Sequence, residues 1–178
     1  MSLGLSKSLR TAPQYRMGGV VGILAIATFQ DDKTPGFTVQ RDQTTNEVTG
    51  ITPQGTNKFH SIDPEEASCS WADNLKTGTN KYRQHQAAFK YGEISNATSA
   101  QMMNLSLGHH TLLLKTKNGK AVLLGENNGL TAEKQDSGAG ATNDDLAGHD
   151  LVLSSGETVH ASIMPASVFD TIAATVQD

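Results

Sequence analysis

The sequence predicts a mainly β protein: an antiparallel β-sandwich or barrel with one flanking α-helix at about residues 95–107, a short C-terminal helix and an extended N-terminal arm. Composition is the first reason, because 17 glycines among 178 residues, with many Thr, Ser and Asn, predict numerous turns. Hydrophobic content is the second, since 37% hydrophobic and 5% aromatic residues allow only a modest core. The third is an Asn-Gly pair between two apolar runs, the strongest short-range signal for a β-hairpin.

The N-terminal arm is predicted at residues 1–16, which are polar and basic and carry Lys7, Arg10 and Arg16. Such a segment has little apolar surface to bury, so we expect it to become ordered against a neighbouring molecule or the domain surface. Residues 17–178 are predicted to form a single β-rich domain, a length that suits one hydrophobic core.

The apolar run at residues 18–29 follows these basic residues and superficially resembles a secretory signal peptide. It is too short to span a bilayer, which takes about 20 apolar residues. Its glycines favour a strand over a helix. Because the run is continuously apolar, we expect a strand that is covered on both faces, with another subunit as one candidate cover.

Short strands and turn signals alternate over the next part of the chain. Three short strands are expected at residues 37–39, 48–51 and 58–62. Ala67, Cys69 and Trp71 then alternate with small or polar residues, which is the period of two expected of a half-buried strand.

A long hairpin is predicted from this alternating strand onward. Residues 74–80 form its polar tip, and residues 82–91 form the returning strand. A helix follows at residues 97–107, with Ser95 or Asn96 as N-cap and Gly108 in the position of a C-terminal capping glycine.

The face of this helix that lies on a sheet is predicted from spacing. Ala100, Met103 and Leu107 are three and four residues apart, so they share one side of a helix. We expect these three side chains to be buried.

The clearest hairpin is centred on Asn118 and Gly119, between strands at residues 111–116 and 120–124. An Asn-Gly turn of this type takes positive φ at both central residues. The remaining elements are predicted as a strand at 130–134, an acidic glycine-rich loop at 136–145, a strand at 149–155, a turn at Ser155-Gly156, a strand at 158–164 and a helix from Pro165 to about Val176.

Charge and cysteine content exclude some classes of function. The formal net charge of −4 and the isoelectric point near 5.8 argue against a protein that binds nucleic acid through phosphate contacts, which needs a basic face. Cys69 is the only cysteine, so neither an internal disulfide nor a cysteine-based metal cluster can form. This usage favours a reducing compartment such as the cytosol.

Catalytic, cofactor-binding and metal-binding residues are all predicted to be absent. No H-x-x-x-H or H-x-H pattern occurs, and neighbouring His109 and His110 point to opposite faces of a regular strand. Residues 138–140 (Gly-Ala-Gly) lack the remaining residues of a phosphate-binding loop. No G-x-S-x-G nucleophile motif is present, and Cys69 in an alternating strand is typical of a core residue. We therefore expect no enzyme activity.

One weak alternative is a calcium site, because carboxylates and amides lie close together in the acidic loop. Their spacing differs from that of an EF-hand. The oxygen donors of this segment are Asp136, Asn143, Asp144 and Asp145.

A family resemblance rests on the order of segments after Ala67. The order begins with a strand that has a Trp, a hairpin ending in T-G-T-N-K-Y, a Q-x-x-F strand and a helix with a leucine-rich end. TLLLKTKNGKAVLLGENNGL comes next, and an acidic Gly-rich loop and LAGHDLVLSSGE follow it. This order resembles virion structural proteins of tailed phages and prophages of the Bacteroidetes type and, more loosely, the phage tail-tube (major tail protein) family. The likeness covers roughly residues 64–164, and residues 117–129 are its most distinctive part.

The resemblance implies a β-sandwich or barrel with a flanking helix that assembles into rings, usually homo-hexamers, which stack into a tail tube. It implies that long hairpins and terminal arms join the rings, and that the lumen is acidic so that DNA slides through without specific binding. The implied partners are copies of the chain itself and neighbouring tail or neck proteins, with no membrane. The implied location is the virion tail, with the host cytoplasm during assembly.

Several residue-level observations agree with this expectation. Long strands expose edges that ring closure would cover. Six copies would carry six times −4, a formal charge of −24, around a DNA conduit. The alternatives are a head–tail connector, a tail terminator, another virion component or the inner tube of a contractile injection system. A ligand-binding β-sandwich is a further alternative, although one Trp and three Tyr offer few stacking surfaces.

Overall fold

The structure is a computed structural model that describes residues 18–65, 67–139 and 147–176. The strands are β1 (Val20–Ala27), β2 (Phe37–Arg41), β3 (Val48–Pro53), β4 (His60–Ile62), β5 (Ser70–Thr77), β6 (Lys81–Tyr91), β7 (His110–Thr116), β8 (Lys120–Leu124), β9 (Thr131–Gly138), β10 (Gly148–Glu157) and β11 (Ser162–Pro165). The helices are α1 (Asn96–Leu107) and α2 (Ala166–Ala173). The predicted arm at residues 1–16 lies outside the described residues.

Three layers build the domain. A five-stranded antiparallel sheet in the order β11-β8-β7-β1-β4 forms the centre. The four-stranded sheet β5-β6-β10-β9 and helix α1 cover one face, while the hairpin β2–β3 and helix α2 cover the other. The prediction of a mainly β antiparallel sandwich with two helices is thus confirmed.

Burial on both faces explains the apolar run of β1. Ile23 and Ala25 join the core under the four-stranded sheet, whereas Leu24 and Ile26 join the core under β2–β3 and α2. All four side chains are buried. The predicted strand covered on both faces is therefore confirmed, and its cover comes from the same chain. The apolar runs of β7 and β8 divide between the two cores in the same way.

Helix α1 has the expected N-cap, but the prediction of its buried face is wrong. The Ser95 hydroxyl accepts a hydrogen bond from the Thr98 N–H at 3.1 Å. Met102 and Leu105 are buried, while Met103 and Leu107 are 57% and 75% exposed. The sequence offers two apolar stripes, and the one that includes Thr98, Met102 and Leu105 is set against β9 and the core.

The backbone conformations at the end of α1 and in the β7–β8 turn differ from those predicted. Gly108 has a φ of −88°, so the helix ends without a left-handed residue. In the β7–β8 hairpin only Gly119 has positive φ, at 77°, and Asn118 does not. The Gly119 N–H bonds to the Thr116 carbonyl, giving a three-residue loop in which a turn is followed by a left-handed glycine.

Several strands begin or end at residues other than those predicted, both in the β5–β6 hairpin and in the C-terminal part of the chain. The predicted tip at residues 74–80 shortens, because β5 continues to Thr77. β9 extends to Gly138, so the first residues of the predicted acidic loop belong to a strand. Residues 140–146 are not among the residues that the structure describes.

Strand β10 continues through Ser155 and Gly156, which do not form the predicted turn. β11 begins only at Ser162, and the preceding segment instead contacts Asp73, as described below. α2 begins after Pro165, as predicted, but ends at Ala173, before Val176.

Candidate functional site

The six histidines lie in different surroundings. His109 contacts the Asn128 carbonyl at 3.0 Å, while buried His149 contacts the Ser137 hydroxyl at 2.7 Å. His60 and His110 line a cleft, and His85 and His160 approach one carboxylate. Within the described ranges no three His, Cys, Asp or Glu residues form a group that could hold a metal ion.

Asp73 of β5 is the centre of a polar cluster. Its Oδ1 accepts a hydrogen bond from Arg83 Nε at 2.7 Å, and its Oδ2 accepts one from the Ala161 N–H at 3.1 Å. Oδ2 also lies 3.2 Å from Nδ1 of exposed His160. Only 11% of the Asp73 side chain is exposed. The carboxylate therefore joins the β5–β6 hairpin to the segment before β11.

The pKa of Asp73 reflects two opposing effects. Partial burial acts to raise the pKa, but the hydrogen bonds from Arg83 and the Ala161 N–H outweigh it, so the pKa lies below its ordinary value. The carboxylate is consequently held in its ionised form at neutral pH.

His85 beside this cluster is fixed as one tautomer by its partners. The Gly125 N–H donates to Nδ1 at 3.2 Å, and Nδ1 can accept only when it carries no proton. Nε2 then carries the proton and donates to the Val159 carbonyl at 3.1 Å. The ring is 1% exposed, so it joins three chain segments inside the protein.

The alternation along β5 is the sequence signal that could locate this cluster. Trp71 and Asp73 are two residues apart in β5 and lie opposite buried Ala87 and His85, so they share the face that turns toward the core. A carboxylate in that position requires partners, because burying an unpaired charge is costly. Its partners at Arg83 and Ala161 are 10 and 88 residues away, beyond any local pattern.

A second carboxylate, Glu157, is almost fully buried, with 1% exposure. Its Oε1 accepts a hydrogen bond from the Asn128 N–H at 3.0 Å and lies 3.3 Å from the Ser155 hydroxyl. Oε2 has no partner among the described residues. Glu157 thereby joins β10 to the loop after β8.

A cleft of about 720 Å³ lies between helix α1 and the edge strand β4. Apolar side chains such as Ile62, Met102 and Leu105 form much of its wall, and Tyr91 and His110 add polar groups. Burial is the main cause that lowers the pKa of His110, so its imidazole is neutral at pH 7. Its Nδ1 is buried and has no partner within the described residues.

Three carboxylates lie close to Tyr91 or its neighbour Gly92, at one end of this cleft. The Tyr91 hydroxyl donates to Glu93 at 3.2 Å, and the Glu65 carboxylate lies against Gly92. Burial, together with Glu93 and Asp63, raises the pKa of Tyr91. The side chains of Asp63, Glu65 and Glu93 thus form an acidic rim, and all three residues are exposed.

Two strand edges are open on another side of the sandwich. β5 ends the four-stranded sheet and β11 ends the central sheet. A groove of about 350 Å³ between them is lined by residues that include Trp71, Val122 and Ile163. Ile163, Leu75 and Val159 are large apolar side chains with 54%, 55% and 46% exposure on or near these edges.

Cys69, Asp136 and Gly138 are the described members of three sites that were weighed from the sequence. Cys69 is buried beside the core, and burial raises the pKa of its thiol to about 12. Asp136 pairs with Lys134 at 2.9 Å, and the other oxygen donors proposed for calcium lie outside the described residues. Gly138 ends β9, and Gly140 is likewise outside the description.

Comparisons with protein-family models, curated proteins and solved structures found no match. In the part of the chain that the structure describes, neither helix is long and apolar enough to cross a bilayer.

Proposed function

We propose that the chain is a structural subunit that assembles with copies of itself, as a tail-tube protein of a virion does, and has no catalytic role. The observation that carries the proposal is the side of the sandwich where β5 and β11 both end a sheet, next to exposed Leu75, Val159 and Ile163. An edge with free backbone groups and apolar side chains is a ready template for another strand.

Ring formation is the arrangement that uses such edges best. When edges of neighbouring copies pair around a closed ring, none remains open to uncontrolled association. In the proposed tube, stacked rings, hexameric by the family resemblance, surround a channel for duplex DNA, and the net charge of −4 per copy disfavours adhesion of the DNA.

Sedimentation velocity over a range of protein concentrations, followed by negative-stain electron microscopy, tests the proposal. Stacked rings with a channel wide enough for duplex DNA are the expected result. Single rings that never stack would favour a head–tail connector or a tail terminator. A protein that stays monomeric at the highest concentrations would overturn self-assembly.

Substitutions at the open edges sharpen this test. Leu75→Lys and Ile163→Lys place charges on the exposed side chains beside β5 and β11 and should prevent assembly, since a desolvated unpaired charge is costly. The matched control is Leu107→Lys, which changes an equally apolar, 75% exposed side chain at the end of α1. Equal assembly of all three variants would show that these edges are not the interface.

A ligand-binding sandwich is the second candidate, and the α1–β4 cleft favours it. The cleft volume of about 720 Å³ lies within the range of small-molecule sites, roughly 300–1,000 Å³. A protein that stays monomeric at all concentrations in the same sedimentation experiment would favour this function over assembly.

A further inference from the structure

Strand β6 connects two exposed surfaces, one at each of its ends. It has 11 residues and is therefore about 35 Å long. Near its middle, His85 packs by Gly125 after β8, and at its C-terminal end Tyr91 lines the cleft with Ile62 of β4. β6 thus crosses the central sheet, and beyond His85 it continues with β5 into the hairpin tip, residues 76–82.

The hairpin tip is positively charged. Residues 74–84 contain Lys76, Lys81 and Arg83 but no carboxylate. Asp73 pairs with Arg83, whereas Lys76 and Lys81 are exposed and form no ion pair within the described residues. Tyr82, 45% exposed, adds an aromatic surface beside them. The tip therefore presents two uncompensated positive charges and an aromatic ring to solvent.

The opposite end of β6 carries the complementary charge. Asp63, Glu65 and Glu93 form the acidic rim around the Tyr91 end of the α1–β4 cleft. None of the three is in an ion pair within the described ranges. Lys58 lines the cleft, yet the rim itself is acidic.

We propose that the hairpin tip of one copy docks into the α1–β4 cleft of a second copy, with Lys76 and Lys81 on the acidic rim. This inference rests on the proposed self-assembly. The two surfaces differ and lie at opposite ends of one strand, so the contact is heterologous: each copy offers a tip to one neighbour and a cleft to another, which generates rings or filaments.

Shape and backbone chemistry support the same occupant. The cleft is large enough for a few side chains, and the small residues Thr77, Gly78 and Thr79 at the tip need little room. β4 pairs only with β1 among the described strands, so its outer edge can accept an added strand. Apolar wall residues such as Ile62 can receive the Tyr82 ring.

Charge reversal tests the contact. We expect Lys76→Glu/Lys81→Glu and, separately, Asp63→Lys/Glu93→Lys to weaken association by about tenfold or more, because exposed pairs contribute modestly and reversal turns attraction into repulsion. Combining all four substitutions should restore assembly. The control is Lys134→Glu, which reverses a charge already paired with Asp136 and Asp150 at a residue outside the cleft lining and the hairpin tip.

Mixing the two double variants identifies a heterologous contact. Lys76→Glu/Lys81→Glu keeps a native cleft, and Asp63→Lys/Glu93→Lys keeps a native tip. The mixture should gain the native tip–cleft pair and the pair of reversed surfaces, so it should assemble more strongly than either variant alone. Sedimentation velocity reports this directly, and a mixture that behaves as the sum of its parts would contradict the proposal.

Cysteine cross-linking gives an independent readout. Thr79→Cys lies at the tip and Gln101→Cys lines the cleft, while native Cys69 is buried and does not compete. Under mild oxidation a mixture of the two variants should give a heterodimer, and the tip variant alone should give less dimer. Assembly without this cross-link, and with unchanged charge-reversal variants, would overturn the hairpin contact while leaving self-assembly intact. A monomeric wild type would overturn both.

Discussion

Asp73 joins three segments through one carboxylate, so its replacement should affect the stability of the whole domain. Asp73→Asn leaves Arg83 without its charged partner and weakens the bond from the Ala161 N–H. Because the pair is largely but not fully buried, we expect a loss of about 2 kcal/mol in the free energy of unfolding. Urea denaturation measures it. Asp150→Asn, whose partner Lys134 is exposed, is the control and should cost less than about 1 kcal/mol.

Through Asp73, the free energy of unfolding should depend on pH with a definite sign. The pKa of Asp73 is lower in the folded protein than its ordinary value of 3.8, so the folded state favours the ionised carboxylate. Its stabilising contribution is present above pH 3.8 and is lost as the pH falls below that value through the folded-state pKa. The difference in unfolding free energy between wild type and Asp73→Asn should therefore shrink in this acidic range. A difference that grows on acidification would contradict the assignment.

At the scale of the elements, helix α1 offers a matched pair of adjacent residues. Met102 is buried against the core, whereas Met103 is 57% exposed. Met102→Ala removes packed methylene groups and leaves a cavity, so we expect a cost of about 2–4 kcal/mol. Met103→Ala should change the unfolding free energy by less than about 0.5 kcal/mol. Thermal or urea unfolding of the two variants checks the face, and equal costs would contradict it.

Elements with an unambiguous pattern were predictable from the sequence. The run of β1 and the two runs around Asn118-Gly119 are apolar on both faces, and they became the central strands of the middle sheet. The buried face of α1 was not predictable, because Met102 and Met103 offer competing stripes and the packing against β9 decides between them. Local spacing carries no information about that tertiary choice.

The polar surfaces of the molecule follow from topology more than from local sequence. The cleft joins residues from β1, β4, β6 and α1, and the partners of Asp73 come from β6 and the segment before β11. Hydrophobic periodicity predicts elements but not which of their ends meet. The hairpin tip is predictable from the sequence as a polar turn. Its acidic counterpart is not, because residues 63, 65 and 93 meet near Tyr91 and Gly92 only in the folded chain.

At the scale of the whole molecule, the two proposed contacts should respond differently to salt. The hairpin–cleft contact depends on exposed charges, and these are screened as the Debye length falls from about 10 Å at 0.1 M to about 3 Å at 1 M ionic strength. The contact between the β5 and β11 edges is mainly apolar and backbone-mediated, so salt should affect it little. We therefore expect sedimentation velocity to show assemblies becoming smaller as NaCl rises. The variant Lys76→Glu/Lys81→Glu lacks the screened attraction, so its association should not weaken with salt. A wild type whose assembly is insensitive to salt would assign self-association to the apolar edges alone.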